Sequence, residues 1–496
     1  MAWQAWNPFY RKDENTRYVY GYQFQWTPLH QTAEELESLK FSYDTLGERA
    51  LNRLDEISPP ASSGHIPRNR EREKSDEGFV RVTKTDGGGG GEKVGSEKEE
   101  SKKEEKKKRD LYELLKDNAS EGGALGELWD QVNTVPDWVD WDQISRGQDV
   151  FYRYGGPALT ALAYQSLLGG MAASRVTEVL ARTGGFSPNV AKQRMFETTQ
   201  HILQCTLSLE SIQPGGAGFQ STIRVRLLHA AVRRRILALA KSRPSYYSVA
   251  DYGVPINDLD SIGTISTFSA TLVFFGIPRQ LIWLRPQEIE DYVALWRLIA
   301  YYIGVDSSYF STPERARAIM ESLMVSEIHP SEMSKVLANN IITSLHTQPP
   351  AFASRQFLEA SARWMNGNQM GDELGMGRPS WYYWALMAGQ CAFFWVGSWL
   401  KRMSPRMDAH GLKSLRHLLY QNIIHSKTFG LGTETDFAFK YIPSYNLVVP
   451  DNGDEMSGLM VKGVERRNLL TLVLGGVFAG GVCWAWTRGL VEVVRW

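Results

Sequence analysis

Residues 221–237, STIRVRLLHAAVRRRIL, set one histidine among aliphatic side chains with arginines on both sides. At about 100° per residue, His229 shares a helix face with Val225, Val232 and Ile236, which turns it inward. Arg226 and Arg233 flank that face, while Arg224, Arg234 and Arg235 point away. An inward imidazole between two guanidiniums suits a cofactor held through one ligand. A single proximal histidine is enough for a heme iron, and the arginines are placed to pair with propionates. The same spacing also fits a core histidine, and periodicity alone does not choose between the two.

A second helix, VAKQRMFETTQHILQC at 190–205, puts Arg194, Thr198, His201 and Cys205 on one stripe with Glu197 beside it. That stripe is unusually polar for an inward face, and a solvent face or a hydrogen-bonded helix contact is the more ordinary explanation, since charged and polar residues are mostly exposed. His201 is the rival to His229 as an iron ligand. Other chemistries lack their motifs. There is no Walker sequence, GxSxG or HExxH, and the glycine run at 87–91 follows no strand. No two of the 9 histidines stand three or four residues apart, and the 3 cysteines form no CxxC, so a zinc or di-iron cluster is unsupported. Lys plus Arg equals Asp plus Glu at 55 each, which argues against a nucleic-acid partner.

The positioning elements are predicted to be helical throughout. Residues 1–60 form an N-terminal module, an aromatic extended piece followed by a helix for which Thr32 and Glu35 have capping-box spacing. Residues 61–110, glycine-rich and dense in mixed charge, read as a disordered insert. From 111 to 445, apolar residues at i, i+3, i+4 predict one large α-helical domain. A linker over 446–467 leads to NLLTLVLGGVFAGGVCWAWT at 468–487, an uncharged run with Gly476 and Gly480 in GxxxG spacing and tryptophans at its end. Lys462, Arg466 and Arg467 precede it, the layout of a C-terminal transmembrane helix with the body in the cytosol. The aromatic run 379–400 reads as a buried helix in preference to a second span. The N-terminus has no basic flank plus apolar run of a signal peptide.

The two polar helices, in this order, resemble the rubber-oxygenase catalytic domain shared by bacterial latex-clearing proteins and the fungal ER-bound, MpaB-like oxygenases. VRLLHAAVR carries His229 where the family has its proximal iron ligand, and RMFET carries Arg194 and Thr198 of the distal Arg-x-x-Lys-Thr run, with Glu197 in place of the lysine. Glu178, in RVTEVLARTGGF, matches the family's upstream glutamate by order and spacing. PDWVDWDQISRGQDVFYRYGG, IPRQLIWLRPQEIEDY and YGYQFQWTPLH look like the membrane-bound fungal branch, which is linked to secondary metabolism. The resemblance implies an all-α, globin-like domain holding heme b through His229, with Arg226 and Arg233 beside it. It further implies a membrane, endoplasmic-reticulum setting and a heme-dependent oxygenase that cleaves a C=C bond of a prenyl-type lipophilic substrate with O2. Arg194, Glu197, Thr198 and Glu178 would then be the catalytic set. A non-catalytic heme- or lipid-binding membrane protein of the same fold is the alternative.

Overall fold

Short polar residues set the element boundaries. In the computed structural model, which describes residues 12–60, 109–184, 186–437 and 463–494, Thr32 and Glu35 form the expected reciprocal capping box. It opens only the one-turn helix Ala33–Leu36. Before it, Thr16–Val19 (β1) and Tyr22–Gln25 (β2) pair antiparallel through a turn at Tyr20 and Gly21, both with positive φ, as a tight hairpin requires. Asp44 caps Thr45–Ile57 (α1) by accepting from the Gly47 backbone N–H.

Most of the predicted insert, and the linker as far as residue 462, lie outside the described residues. At the edge of the insert, Asp110 caps Leu111–Asn118 and pairs with Arg224 at 2.7 Å. The linker's last residues already belong to a helix, which begins at Val464.

The rest is helical, as the periodicity predicts. Trp141–Arg153 (α2) packs against the central helix Pro286–Ile303 (α7) so closely that a Cβ on Gly147 would stand 2.3 Å from the Asp291 carbonyl oxygen. Between them in sequence come Ser174–Thr183 (α3), Pro188–Thr206 (α4), Ala217–Ser242 (α5) and Asp258–Phe268 (α6). α5 folds back along α4. Gly218 permits the approach, since a Cβ there would sit 2.6 Å from the Gln204 oxygen and 2.7 Å from Cys205 Cα. Leu162–Leu168 is a π-helical turn, a form often found beside functional cavities, and it leans on α6 through Ser166 Oγ donating to the Thr267 carbonyl at 2.6 Å. Trp296 on α7 is fully buried and stacks on Phe268 of α6, ring centres 5.1 Å apart.

Pro313–Ser326 (α8), Glu332–Leu345 (α9) and Arg355–Asn366 (α10) close the body, and Trp381–Met403 (α11) lies along it. The expectation that α11 is buried holds for one face only. Leu386, Met387, Gly389, Gln390 and Cys391 are inside, while Trp395 and Trp399 are 45% and 53% exposed. Val464–Val494 (α12) packs on α11 at Gly389, where a Cβ would meet the Asn468 carbonyl oxygen at 2.5 Å. Among the described residues no single helix is long and apolar enough to cross a membrane. The bent pair Asp258–Phe268 plus Thr271–Gln280 has the length and composition, but Leu259, Ile262, Ile265 and Leu272 on it belong to the core. The side chains of the predicted span are described as far as Phe478.

Candidate functional site

Helices α3 to α7 surround a cavity of about 340 Å³, and a larger one of about 590 Å³ lies beside it. The two share Val176, Leu180, Phe186, Thr198, Asp260, Thr264 and Phe268, so one wall serves both. Both linings are mainly apolar: Val176 and Leu180 of α3 and Phe268 of α6 face both cavities, α5 adds Val225, Leu228 and Val232 to the smaller one only, and α4 gives Met195, Phe196 and Ile202 to the larger.

His229 and His201 both line the smaller cavity. His201 is tied down. Its Nδ1 is 3.0 Å from Ser221 Oγ, and the Cys205 thiol lies 3.8 Å away. His229 has no hydrogen bond among the described residues, and the surface it retains faces the cavity. Burial pulls the His229 imidazole down to about 4, helped by the Arg233 charge and opposed by Asp44. Burial likewise takes His201 to about 4, with His229 adding to the effect. Both rings are therefore neutral at pH 7, the state in which a histidine nitrogen binds a metal.

The flanking arginines have other work. Arg226 and Arg233 are each 2% exposed and do line the cavity. Arg226 forks onto Asp44 and reaches the Tyr302 carbonyl at 3.3 Å. Arg233 donates to Glu48 at 3.3 Å and to the Pro255 and Ile256 carbonyls, and its cation lies 4.5 Å from the Tyr43 ring centre. In the described structure both are engaged with protein acceptors at the place where propionate pairing was expected of them. They clamp α5 to the N-terminal module, and that clamp was invisible in sequence because its acceptors lie far upstream.

Arg194, Glu197 and Thr198 all line the smaller cavity. Arg194 Nη1 is 3.4 Å from Glu197 Oε2, and Gln193 donates to the other carboxylate oxygen at 3.0 Å. Thr198 lies on the shared wall, its hydroxyl donating back to the Arg194 carbonyl at 3.0 Å. Glu178 is not part of this constellation. It lines neither cavity and pairs with Arg182 one turn along α3.

Sequence reasoning missed Asp260. It sits in the first turn of α6, where an aspartate ordinarily serves the helix N-terminus, so its position gave no signal. In the fold it is on the wall common to both cavities, 3.0 Å from Arg175, which also holds Glu327 at 2.6 Å. Burial pushes its carboxyl up to about 6, Arg175 opposing and Glu327 reinforcing. It is a carboxyl group able to hold or release a proton near neutrality beside an apolar chamber.

Residues 152–395 match the family profile described as ER-bound oxygenase mpaB/B'/Rubber oxygenase, catalytic domain. The chain is also similar to the solved structure described as Latex Clearing Protein LCP in the closed state, with 18% identity over 60% of this chain and 79% of that chain, at a TM-score of 0.47. No curated protein matches the chain.

Proposed function

Because residues 152–395 belong to the mpaB and rubber-oxygenase catalytic family, we propose that this chain is an oxygenase that holds heme b through His229 and cleaves a carbon–carbon double bond of a prenyl-type lipophilic substrate with O2. The observation that carries the reading is the state of His229: neutral, without a hydrogen bond among the described residues, and facing a largely apolar cavity. That is what a one-histidine heme site requires of the protein. Bound there, heme supplies the activation of dioxygen. The chain's own residues supply position and dryness.

Val176, Leu180, Phe186 and Phe268 keep water from the wall where both cavities meet. Arg194 stands on the same side as Thr198, and together they order an oxygen or a water by hydrogen bonding. Glu197 is the base that would take an allylic proton and return it to the same carbon, since conversion of the C=C bond and O2 into two carbonyl groups loses no hydrogen. Its present bonds to Gln193 and Arg194 favour the second reading, a non-catalytic heme- or lipid-binding protein, because they occupy the arginine.

Membrane attachment through 468–487, with the body cytosolic and the endoplasmic reticulum as the compartment, belongs to the same proposal. Supporting it, α12 turns Leu474, Val477 and Phe478 outward at 68%, 70% and 75% exposure, a continuous apolar surface that water does not favour.

A visible spectrum tests the reading. Protein made with heme supply should show a Soret band that His229→Ala abolishes and His201→Ala retains; the reverse pattern would transfer the ligand to His201.

A further inference from the structure

The lining of the larger cavity contains four charged residues, Arg175, Asp260, Glu327 and Arg467. Arg175 contacts both Asp260 and Glu327, at 3.0 and 2.6 Å, and Lys40 stands 4.0 Å from Glu327, so both carboxylates already have cationic partners. Arg467, in the first turn of α12, has no carboxylate within ion-pair distance among the described residues. Its acceptors are all neutral. Nε and Nη2 donate to its neighbour Asn468 at 3.1 and 2.8 Å, and Nη2 also reaches Gln390 Oε1 at 3.3 Å. The guanidinium lies 4.5 Å from the Phe393 ring centre and 5.5 Å from that of Phe394. Nη1 has no hydrogen bond among the described residues.

This is a built position. Gln390, 5% exposed, is itself oriented by contacts to Thr160 and Asn468 at 3.5 and 3.4 Å, and Asn468 is fully buried. The adjacent Arg466 points to solvent, whereas Arg467 is drawn in over two aromatic rings. A guanidinium held by neutral dipoles keeps its full charge while losing part of its hydration. It is therefore set to take an anion, preferably a forked one.

We propose that the larger cavity binds an amphipathic ligand, with one anionic headgroup, carboxylate or phosphate, on Arg467 and an apolar chain running along the cavity toward Thr198 and Phe268. This deepens the proposed function by giving its lipophilic substrate a charged end. The apolar lining takes the chain, and the wall shared with the histidine cavity is where the chain meets His229's chamber. The charged end fixes direction and register, which an apolar tunnel alone cannot do.

The test uses full-length protein in detergent with two fluorescent probes, cis-parinaric acid and the corresponding alcohol. Wild type is expected to bind the acid about tenfold more tightly than the alcohol, the size of one charge-assisted interaction. Arg467→Met should remove that preference while leaving the alcohol's affinity within about twofold, which shows the cavity intact, and Arg467→Lys should keep most of the preference. Equal affinity of wild type for acid and alcohol, or a preference that survives in Arg467→Met, would overturn the proposal. Flotation with phosphatidylcholine vesicles, with and without phosphatidylserine, separates the two sources of an anionic head. Loss of phosphatidylserine-dependent flotation in Arg467→Met, with parinarate binding unchanged, would assign Arg467 to the bilayer and also overturn it. The Soret band is read on the same preparations, so failure of the heme assignment is seen separately from failure of this one.

Discussion

Arg226 grips Asp44 through two hydrogen bonds of 2.7 and 2.8 Å across 182 positions of sequence. Asp44 at the same time caps α1, so one carboxylate joins the N-terminal module, a helix start and the histidine-bearing helix. Removing either partner leaves a buried charge alone. Arg226→Met or Asp44→Leu is expected to lower unfolding free energy by about 3–5 kcal/mol, measured by urea denaturation. The double variant should recover part of that loss. If the single variants unfold like wild type, the clamp is not structural.

Both cavity histidines have folded-state values pulled down from 6.5 to about 4. Between those limits the unfolded chain binds more protons than the folded one, so their contribution is present above pH 6.5 and is lost as pH falls toward 4. Each ring is worth on the order of 3 kcal/mol over that window. Melting temperature should fall steeply from pH 6.5 to 4.5, and less steeply in His201→Gln. An identical slope in the variant would show that His201 is not buried neutral.

Asp260 has the opposite sign. Its folded value is raised from 3.8 to about 6, so its contribution is largest at low pH and is lost as pH rises through about 6. Asp260→Asn should therefore gain stability relative to wild type on going from pH 4 to pH 8. A difference that does not vary with pH would mean the carboxyl is not shifted in the folded protein.

Close approach of α4 and α5 depends on Gly218, whose Cβ would stand 2.6 Å from a backbone oxygen. The atoms it would meet, in Gln204 and Cys205, all belong to the backbone of α4 and have no flexible end to move aside. Gly218→Ala should cost about 1–3 kcal/mol and weaken heme retention, read from the Soret absorbance against total protein. Gly170, which has open space around it, serves as the control.

If Arg194 and Thr198 position oxygen, Arg194→Ala and Thr198→Ala should lower label incorporation from 18O2 into carbonyl products of a farnesylated substrate by about tenfold or more at unchanged heme content. No oxygen uptake by wild type with any prenyl substrate would favour the non-catalytic reading. Fractionation and protease protection address the anchor: the wild-type body should pellet with membranes and be cleaved by protease added to intact vesicles.

What the sequence by itself determined is whatever repeats at short range. Helical periodicity placed His229 inward and set Arg194 and Thr198 on one stripe with Glu197 beside it, because a helix fixes the direction of each side chain from its neighbours alone, whereas the cavity that stripe faces is a product of the fold. Thr32 and Glu35 announced their capping box for the same reason. Tertiary structure alone decided which charges neutralise which. Arg226 and Arg233 look available on a helical wheel until Asp44 and Glu48 arrive from a distant segment. Asp260 enters the site only when α6 is laid against α3 and α4, and Arg467 becomes a cavity residue only when α12 docks on α11. Local geometry is written in nearest neighbours along the chain. Burial, and with it the pairing and proton affinity of a charged group, depends on what the rest of the chain places around it.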